Sequence, residues 1–343
     1  MANAIELDDW PRHTERKGWL AADIDRVKIT HPLSAAEIDA LRRLVASCKA
    51  SGKPVTEIRQ DDFRDPVLDA TLKRLSHELK HGVGLVIIGG VPMAEFSKEE
   101  LQYLYWGIGT HFGDAVSQNI EGDLLGEVRV RESRVKMRAY SAPGVLPIHN
   151  DRIDMLSLFS IQKAVWGGAT VFASALAVYE TIKRERPDLL PLLERGFHQF
   201  RAGEQPEGEE PLTSHRVPVF GRKDGLLSAM FSGNSLVAHQ RKNVGGLTPQ
   251  EEEALVFLDE VSKRPEFHIP ILLEPGEMVF INNYEILHSR TDFGDGEAPE
   301  QKRTLMRLWL QGRPWRPKPH DMLVIRNKSG LQGIDPKPVP QPA

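Results

Sequence analysis

The sequence has a single cysteine, Cys48, among its 343 residues. One cysteine excludes a disulfide framework within the chain, as is typical of proteins from a reducing compartment. The sequence also lacks an uninterrupted run of about 18 apolar residues, so no membrane-spanning helix is predicted. The first residues, MANAIELDDWPRHTERKGW, contain no apolar signal-peptide core. We therefore expect a cytoplasmic protein in which Cys48 is a packed thiol on a helix.

Positive charge is not in excess either. Lysine and arginine together number 44 against 48 aspartates and glutamates, which gives a net charge of -4. Binding to nucleic acid or to an anionic membrane surface draws on a basic face, and no block of like charges provides one. The composition, 40% hydrophobic and 27% charged, is that of an ordinary globular protein. The expected partner is a small molecule, with neither nucleic acid nor membrane.

Internal repeats are absent, and so is the regular alternation of strand and helix that marks a parallel sheet. From residue 125 onward the strand signals are short and separated by turns. This pattern predicts a mostly antiparallel β core with helices outside it, an α+β protein. Helices are predicted where capping boxes open an amphipathic stretch, at Ser34/Glu37, Ser97/Glu100 and Thr248/Glu251. The residues after Gly312 are rich in proline and predict an extended tail packed on the surface or partly loose.

One helix carries His77, Glu78 and His81, a match to the H-E-x-x-H pattern of zinc peptidases. On a helical wheel, Leu68, Leu72, Leu75 and Leu79 form the apolar stripe, and both histidines fall on the opposite face. A zinc site needs a third protein ligand, and the extended motif would require histidine where Ile87 stands. The pattern therefore indicates two solvated histidines, with a zinc peptidase kept as a remote alternative.

A second metal pattern is the H-x-D pair formed by His149 and Asp151. In extended backbone, residues two apart point the same way, so an imidazole and a carboxylate can meet one ion. His288, which follows the apolar stretch EMVFINN, is the candidate third ligand. Two histidines and one carboxylate form the facial triad of non-haem Fe(II) oxygenases, which leaves positions open for other ligands.

Two arginines lie on one face of a predicted strand that is otherwise apolar. The face of Arg303 and Arg307 alternates with one that is apolar apart from Thr304. Buried guanidinium groups need anionic partners, and a bound dicarboxylate and a structural ion pair both meet that need. On the strand ATVFAS, Thr170 and Ser174 share one face, and a hydroxyl there is a candidate second donor to such a carboxylate.

These pieces, in their order and spacing, resemble the taurine dioxygenase/TfdA-like family of Fe(II)- and 2-oxoglutarate-dependent dioxygenases. The motifs that carry the resemblance are HGVGLVIIGGVP, IHND, GGATVF, LEPGEMVFINNYEILHSRTDF and RTLMR. The resemblance implies a double-stranded β-helix, the cupin-like jelly-roll, with outer helices. It also implies a single oxygenase domain over 1–312, with a helical elaboration over about 1–115, a jelly-roll core over about 116–312 and the tail over 313–343.

By the same resemblance, His149, Asp151 and His288 are the iron ligands, and Thr170 and Arg303 hold the far carboxylate of 2-oxoglutarate. Arg307 is expected to face either the substrate or this cosubstrate. The segment DFGDGEAPEQK is longer than in compact members, so the choice between Arg303 and Arg307 stays open. No motif matches between about 115 and 145, where the polar candidates are Gln118, Asn119, Arg138 and Tyr140.

The implied reaction uses Fe(II), 2-oxoglutarate and dioxygen. It hydroxylates an unactivated C–H bond of a small, anionic or amino-acid-like molecule and releases succinate and CO2. Desaturation or cyclisation by the same residues, and a non-catalytic member that only binds a carboxylate, are the alternatives. Family habit suggests a homo-oligomer, a dimer or a tetramer.

Overall fold

The structure is a computed structural model, and it describes Trp10 and residues 18–130, 144–231, 246–314 and 316–337. Within these ranges the chain forms seven α-helices and fifteen β-strands. The helices are α1 Arg26–Ile29, α2 Ala35–Ala50, α3 Pro66–His81, α4 Lys98–Gly109, α5 Ala175–Glu185, α6 Leu190–Arg195 and α7 Pro249–Ser262. The strands are β1 Thr30–Pro32, β2 Leu85–Gly89, β3 Gly113–Ala115, β4 Leu125–Val128, β5 Leu146–His149, β6 Met155–Gln162, β7 Trp166–Gly167, β8 Thr170–Ser174, β9 Phe220–Lys223, β10 Leu226–Ala229, β11 Ile269–Ile271, β12 Met278–Asn282, β13 Ile286–Arg290, β14 Phe293–Gly294 and β15 Thr304–Gly312.

Helices α2, α4 and α7 begin where the capping boxes predict. At α2, the backbone N–H of Ser34 donates to the Glu37 carboxylate at 2.7 Å, and the Ser34 hydroxyl accepts from the Glu37 N–H. The same reciprocal pairs open α4 and α7. Each box satisfies backbone donors that the first turn of a helix leaves unpaired, which fixes the starting residue.

Helix α3 is amphipathic as predicted. Its four stripe leucines are buried, whereas His77 and His81 are exposed. The helix ends at Gly82, whose N–H donates to the carbonyl of Glu78 at 2.7 Å. The chain then enters the buried strand β2.

The larger sheet has the strand order β1-β2-β12-β6-β15-β3, with β4 pairing the same edge of β15 as β3. All its neighbours are antiparallel except β1 and β2. The smaller sheet has the order β11-β8-β13-β5 and is antiparallel throughout. The predicted antiparallel β core is therefore confirmed, and the N-terminal region adds three strands, β1, β2 and β3, to its larger sheet.

The two sheets pack face to face around one apolar cluster. Phe172 and Ile271 of the smaller sheet share that cluster with Leu156, Leu305 and Trp309 of the larger one. The outer face of the larger sheet, which includes Phe280 and Leu308, packs against α2, α3 and α4. The outer face of the smaller sheet, which includes Ala173 and Leu287, packs against α5, α6 and α7. The result is a four-layer α/β/β/α arrangement, because every face of both sheets is apolar enough to need a cover.

One expectation differs from the structure. The residues after Gly312 were predicted to pack on the surface or to be partly loose, but the described part of this tail enters the interior, where Val324, Ile325 and Ile334 join the cluster between the sheets. Finally, each described helix is too short or too polar to cross a lipid bilayer.

Candidate metal centre

Three potential ligands converge at one end of the smaller sheet. His288 on β13 is the cross-strand partner of His149 at the end of β5, and their ring centroids lie 4.3 Å apart. Asp151 follows two residues after His149. One ligand atom from each of the three lies within 4.8 Å of the others. Antiparallel partners project to the same face of a sheet, so strand register brings together residues that lie 137 positions or more apart in the chain.

The residue between the two ligands, Asn150, faces the opposite way and is buried. Its side-chain amide donates to the carbonyl of Ile286 at 3.0 Å, and its carbonyl oxygen accepts from the N–H of Phe231 at 2.9 Å. From the sequence, the middle residue of the H-x-D pair is not expected to bind the metal. In the structure Asn150 anchors the loop to β13, which carries His288.

Asn283, in the turn between β12 and β13, holds Asp151 from the other side. Its Oδ1 accepts from the Asp151 N–H at 3.0 Å, and its Nδ2 donates to the carbonyl of Ile153 at 2.8 Å. The sequence identified Asn283 only as the end of a strand. An asparagine at a strand end is too common a signal to reveal this role.

The imidazole groups present nitrogen lone pairs to the centre. Nδ1–H of His149 donates to the carbonyl of Pro147 at 2.8 Å, so Nε2, which lies 3.8 Å from Oδ1 of Asp151, is the ring nitrogen available as a metal ligand. Burial lowers the pKa of His288 to about 3, and the neighbouring His149 adds to the effect, so this ring is neutral. Among the described residues, the buried Nδ1 of His288 has no hydrogen-bond partner.

Asp151 is ionised in this setting. Burial by itself would raise the pKa of Asp151, but the positive charge of Arg307, helped by the hydrogen bond from Trp309, outweighs it and lowers the pKa. Two imidazoles and one carboxylate that lie this close to one another fit a divalent ion such as Fe(II). The donor set therefore agrees with the metal expected from the sequence.

A second polar group lies on the same inner face. Thr170 on β8 and Arg303, directly before β15, line one small cavity together with Gly168. Nη2 of Arg303 donates to the carbonyl of Gly168 at 3.3 Å. Burial lowers the pKa of Arg303 to about 10, with a further contribution from the charge of Arg290, so Arg303 stays protonated near neutral pH.

Arg290 belongs to this group but was not singled out from the sequence. It is the cross-strand partner of Thr170, and its guanidinium lies 4.6 Å from the Phe293 ring centroid. The guanidinium of Arg303 lies 5.3 Å from the same ring centroid. The sequence feature that could have identified Arg290 is its position two residues after His288, which places the side chains of Arg290 and His288 on one face of β13.

Arg307 lies next to Asp151 rather than next to Thr170. Its Nη1 is 3.9 Å from Oδ2 of Asp151, and its Nε donates to Oε1 of Gln118 at 2.5 Å. Gln118 therefore orients Arg307. Asn119 instead braces its own turn through Asp123 at 2.8 Å. The other two polar candidates, Arg138 and Tyr140, lie outside the described residues.

Among the described residues, the zinc-peptidase pattern gains no third ligand. The rings of His77 and His81 stack on each other at 4.2 Å on the exposed face of α3. Across the part of the chain that the structure describes, His149, Asp151 and His288 are the one group of three or more metal-binding side chains. The geometry thus favours the H-x-D pattern over H-E-x-x-H.

Comparison with known families and proteins gives consistent results. The model of the family described as "Taurine catabolism dioxygenase TauD, TfdA family" matches residues 49–309. The protein named FR-33289 synthase, from Streptomyces rubellomurinus (strain ATCC 31215), is 33% identical over 257 residues. That alignment covers 73% of this chain and 75% of the relative.

Two solved structures share the fold. One is an asparagine oxygenase in complex with Fe(II), 2S,3S-3-hydroxyasparagine and succinate, with a TM-score of 0.62 and 14% identity. The comparison covers 82% of this chain and 93% of that one. The other is the non-heme iron oxygenase OrfP in complex with Fe, succinate and (3S)-hydroxy-L-Arg, with a TM-score of 0.60 and 16% identity. Here the comparison covers 82% of this chain and 94% of that one.

Proposed function

We propose that this chain, which belongs to the taurine catabolism dioxygenase TauD, TfdA family, hydroxylates an unactivated C–H bond of a small anionic or amino-acid-like molecule. The family predicted from the sequence is confirmed. Membership makes the chain an oxidoreductase, a dioxygenase that depends on Fe(II) and 2-oxoglutarate. Hydroxylation, the substrate class and the role of each residue are the proposal.

The observation that carries the proposal is the convergence of His149, Asp151 and His288 within 4.8 Å. In the proposed reaction these three residues would hold Fe(II), since two histidines and one carboxylate are the donor set of non-haem Fe(II) oxygenases. When bound, the iron, together with 2-oxoglutarate and dioxygen, supplies the oxidising power for C–H hydroxylation, with succinate and CO2 as coproducts.

The protein's own contribution is binding and orientation. We assign Arg303 and Thr170 to the far carboxylate of 2-oxoglutarate, because a buried guanidinium beside a hydroxyl forms charge-assisted hydrogen bonds with a carboxylate. Arg290 lies close enough for its positive charge to act on Arg303. Arg307 lies instead beside the metal ligand Asp151, where it can orient an anionic group bound close to the iron.

Two features support a small anionic or amino-acid-like substrate. Arg307 brings a cationic side chain to the metal site. Structures of the same fold contain hydroxylated asparagine and hydroxylated arginine. Desaturation or cyclisation would use the same residues and remains the second candidate.

We further infer that the two facing sheets form a double-stranded β-helix within a single oxygenase domain over 1–312. The confirmed family and the similarity to solved oxygenases support this description. A cytoplasmic location and a dimer or tetramer stay predictions from the sequence.

The test combines binding with turnover. Anaerobic addition of Fe(II) and 2-oxoglutarate to the purified protein should give a weak metal-to-ligand charge-transfer band, and adding oxygen should yield succinate. Asp151→Ala should lose both signals because it removes one of three ligands. Unchanged iron-dependent succinate formation by Asp151→Ala would contradict the assignment. A charge-transfer band without succinate, under any candidate substrate, would favour the non-catalytic alternative.

A further inference from the structure

The family match ends at residue 309, but the chain continues for 34 residues. The described part of this continuation contains Arg316 and Lys318, two cationic side chains that are almost fully buried. Cationic side chains are rarely buried unless an anionic group pairs with them. Their partners lie in the two segments that carry the proposed metal ligands.

Lys318 pairs with Asp154, three residues after Asp151. Its Nζ lies 2.6 Å from Oδ1 of Asp154, and the exposed fractions of the two side chains are 7% and 0%. The other carboxylate oxygen, Oδ2, accepts from the N–H of Gly312 at 3.1 Å. Asp154 is therefore held from two directions by the residues that follow the family match.

Arg316 pairs with Glu285, three residues before His288. Its Nη2 lies 3.0 Å from Oε1 of Glu285, with exposed fractions of 0% and 2%. The same nitrogen donates to the carbonyl of Leu227 at 2.8 Å. Gln332 completes the contact with this turn by donating to the Tyr284 hydroxyl at 2.6 Å.

The two anchored segments are also linked to each other. The N–H of Asn283 donates to the carbonyl of Asp154 at 3.0 Å, and the side chain of Asn283 holds the backbone of Asp151. One ion pair therefore fixes the loop that carries Asp151, and the other fixes the turn that leads into His288. Lys318 also lies 5.2 Å from the ring centroid of Tyr284, which joins the two contacts.

We propose that Arg316 and Lys318 form a C-terminal clamp, a pair of positioning residues that holds the loop of Asp151 and the turn before His288 in their metal-binding arrangement. The clamp rests on the proposed function of those ligands. It contributes no ligand of its own, and it acts as partners outside the coordination shell do, by fixing the ligands' backbone before the metal arrives.

Cobalt(II) provides the test, because calorimetric titration gives its dissociation constant and its d–d absorption bands report coordination geometry without turnover. Lys318→Met should raise the dissociation constant for Co(II) on the order of 10- to 100-fold and alter the bands. Lys318→Arg keeps the charge and should retain most of the affinity. Lys328→Met, an exposed lysine of the same tail, is the matched control and should behave like the parent protein.

Loss of Lys318 leaves the buried Asp154 without its cation, which can destabilise the whole fold. The double variant Asp154→Asn/Lys318→Met removes both charges together. If the single variant does not fold, the Co(II) titration is carried out on the double variant instead. Circular dichroism at the titration temperature identifies the folded samples.

The clamp is overturned if Lys318→Met or the double variant folds and binds Co(II) with the parental affinity and absorption bands. The ion pair would then have a purely structural role. A different result identifies failure of the proposed function itself. If the parent protein binds no Co(II) and Asp151→Ala changes nothing, the metal site is wrong and the clamp falls with it.

Discussion

The indole nitrogen of Trp309 donates a hydrogen bond to Oδ2 of Asp151 at 2.9 Å. The same oxygen is the one nearest Arg307, whereas Oδ1 faces Nε2 of His149 at 3.8 Å. One carboxylate oxygen is thus engaged by the protein, and the other is directed toward the neighbouring ligand. Oδ1 would therefore be the oxygen of Asp151 that holds the metal, with Oδ2 kept in place by Trp309.

Trp309→Phe should weaken metal binding by on the order of 10- to 100-fold while the fold persists. Phenylalanine keeps an aromatic ring in the cluster between the sheets but removes the N–H that holds Oδ2. Calorimetric titration with Co(II) measures the change. Trp106→Phe is a matched control, since it loses an indole hydrogen bond of 2.9 Å to Ile58 in the helical layer and should leave metal affinity unaltered. Equal affinities for the two variants would argue against the role of Trp309.

Arg303 and Arg307 should differ in which ligand they affect. Arg303→Gln should raise the KM for 2-oxoglutarate by on the order of 10- to 100-fold, because it removes charge-assisted hydrogen bonds in a buried pocket. Arg307→Gln should change the 2-oxoglutarate KM less and should mainly impair use of the primary substrate. Succinate formation at varied 2-oxoglutarate concentrations measures the first effect. The reverse pattern would assign the cosubstrate carboxylate to Arg307.

Gly168→Ala should displace the side chain of Arg303, although the two residues are far apart in the sequence. Gly168 has φ of +78°, and a Cβ there would lie 2.9 Å from Nε of Arg303. The guanidinium must move, so the KM for 2-oxoglutarate should rise several-fold. Gly52→Ala is the control, because Gly52 has φ of +70° but no neighbouring atom within 4 Å of the place that an added Cβ would occupy. A rise in KM shared by both variants would indicate general backbone strain rather than contact with Arg303.

Glu37 should make stability sensitive to acid. Burial alone would raise the pKa of Glu37, but hydrogen bonds from Thr71, Ser34 and His31 outweigh it and lower the pKa from 4.5 to about 2. The unfolded chain therefore takes up the proton first on acidification, so the free energy of unfolding falls as the pH drops from about 4.5 to about 2. Urea denaturation across this window should show a shallower acid slope for Glu37→Gln. Glu57 is exposed, so Glu57→Gln should keep the parental slope. If Glu37→Gln has the same slope as Glu57→Gln, Glu37 is not the source of the acid sensitivity.

Much of the fold and the three proposed ligands were accessible from the sequence because they depend on local rules. Capping residues and apolar periodicity placed α2, α3, α4 and α7, and the wheel put His77 and His81 on the exposed face. H-x-D spacing and the strand before His288 were sufficient to nominate the metal centre. The two-residue period of β15 put Arg303 and Arg307 on one face.

The roles of Trp309, Asn283, Arg290 and the tail could not be read in this way. Trp309 was visible only as an apolar residue of a strand, since its hydrogen bond to Asp151 depends on how β15 and the loop after β5 approach each other. Arg316 and Lys318 lie in the proline-rich segment that the sequence predicts as a tail packed on the surface or partly loose. Their burial depends on two acidic partners located 31 and 164 positions away.

By itself, the sequence determined the residue types, the local periods and the order of motifs, and these were sufficient for the helices, the antiparallel core, the family and the candidate ligands. Only the tertiary structure decided which oxygen of Asp151 faces the metal site, which arginine lies beside Thr170, and that the tail belongs to the interior. The physical reason is the sequence separation over which each kind of interaction acts. Caps and periodicity act over a few residues, whereas a hydrogen bond or buried ion pair between distant segments forms only after the sheets have packed.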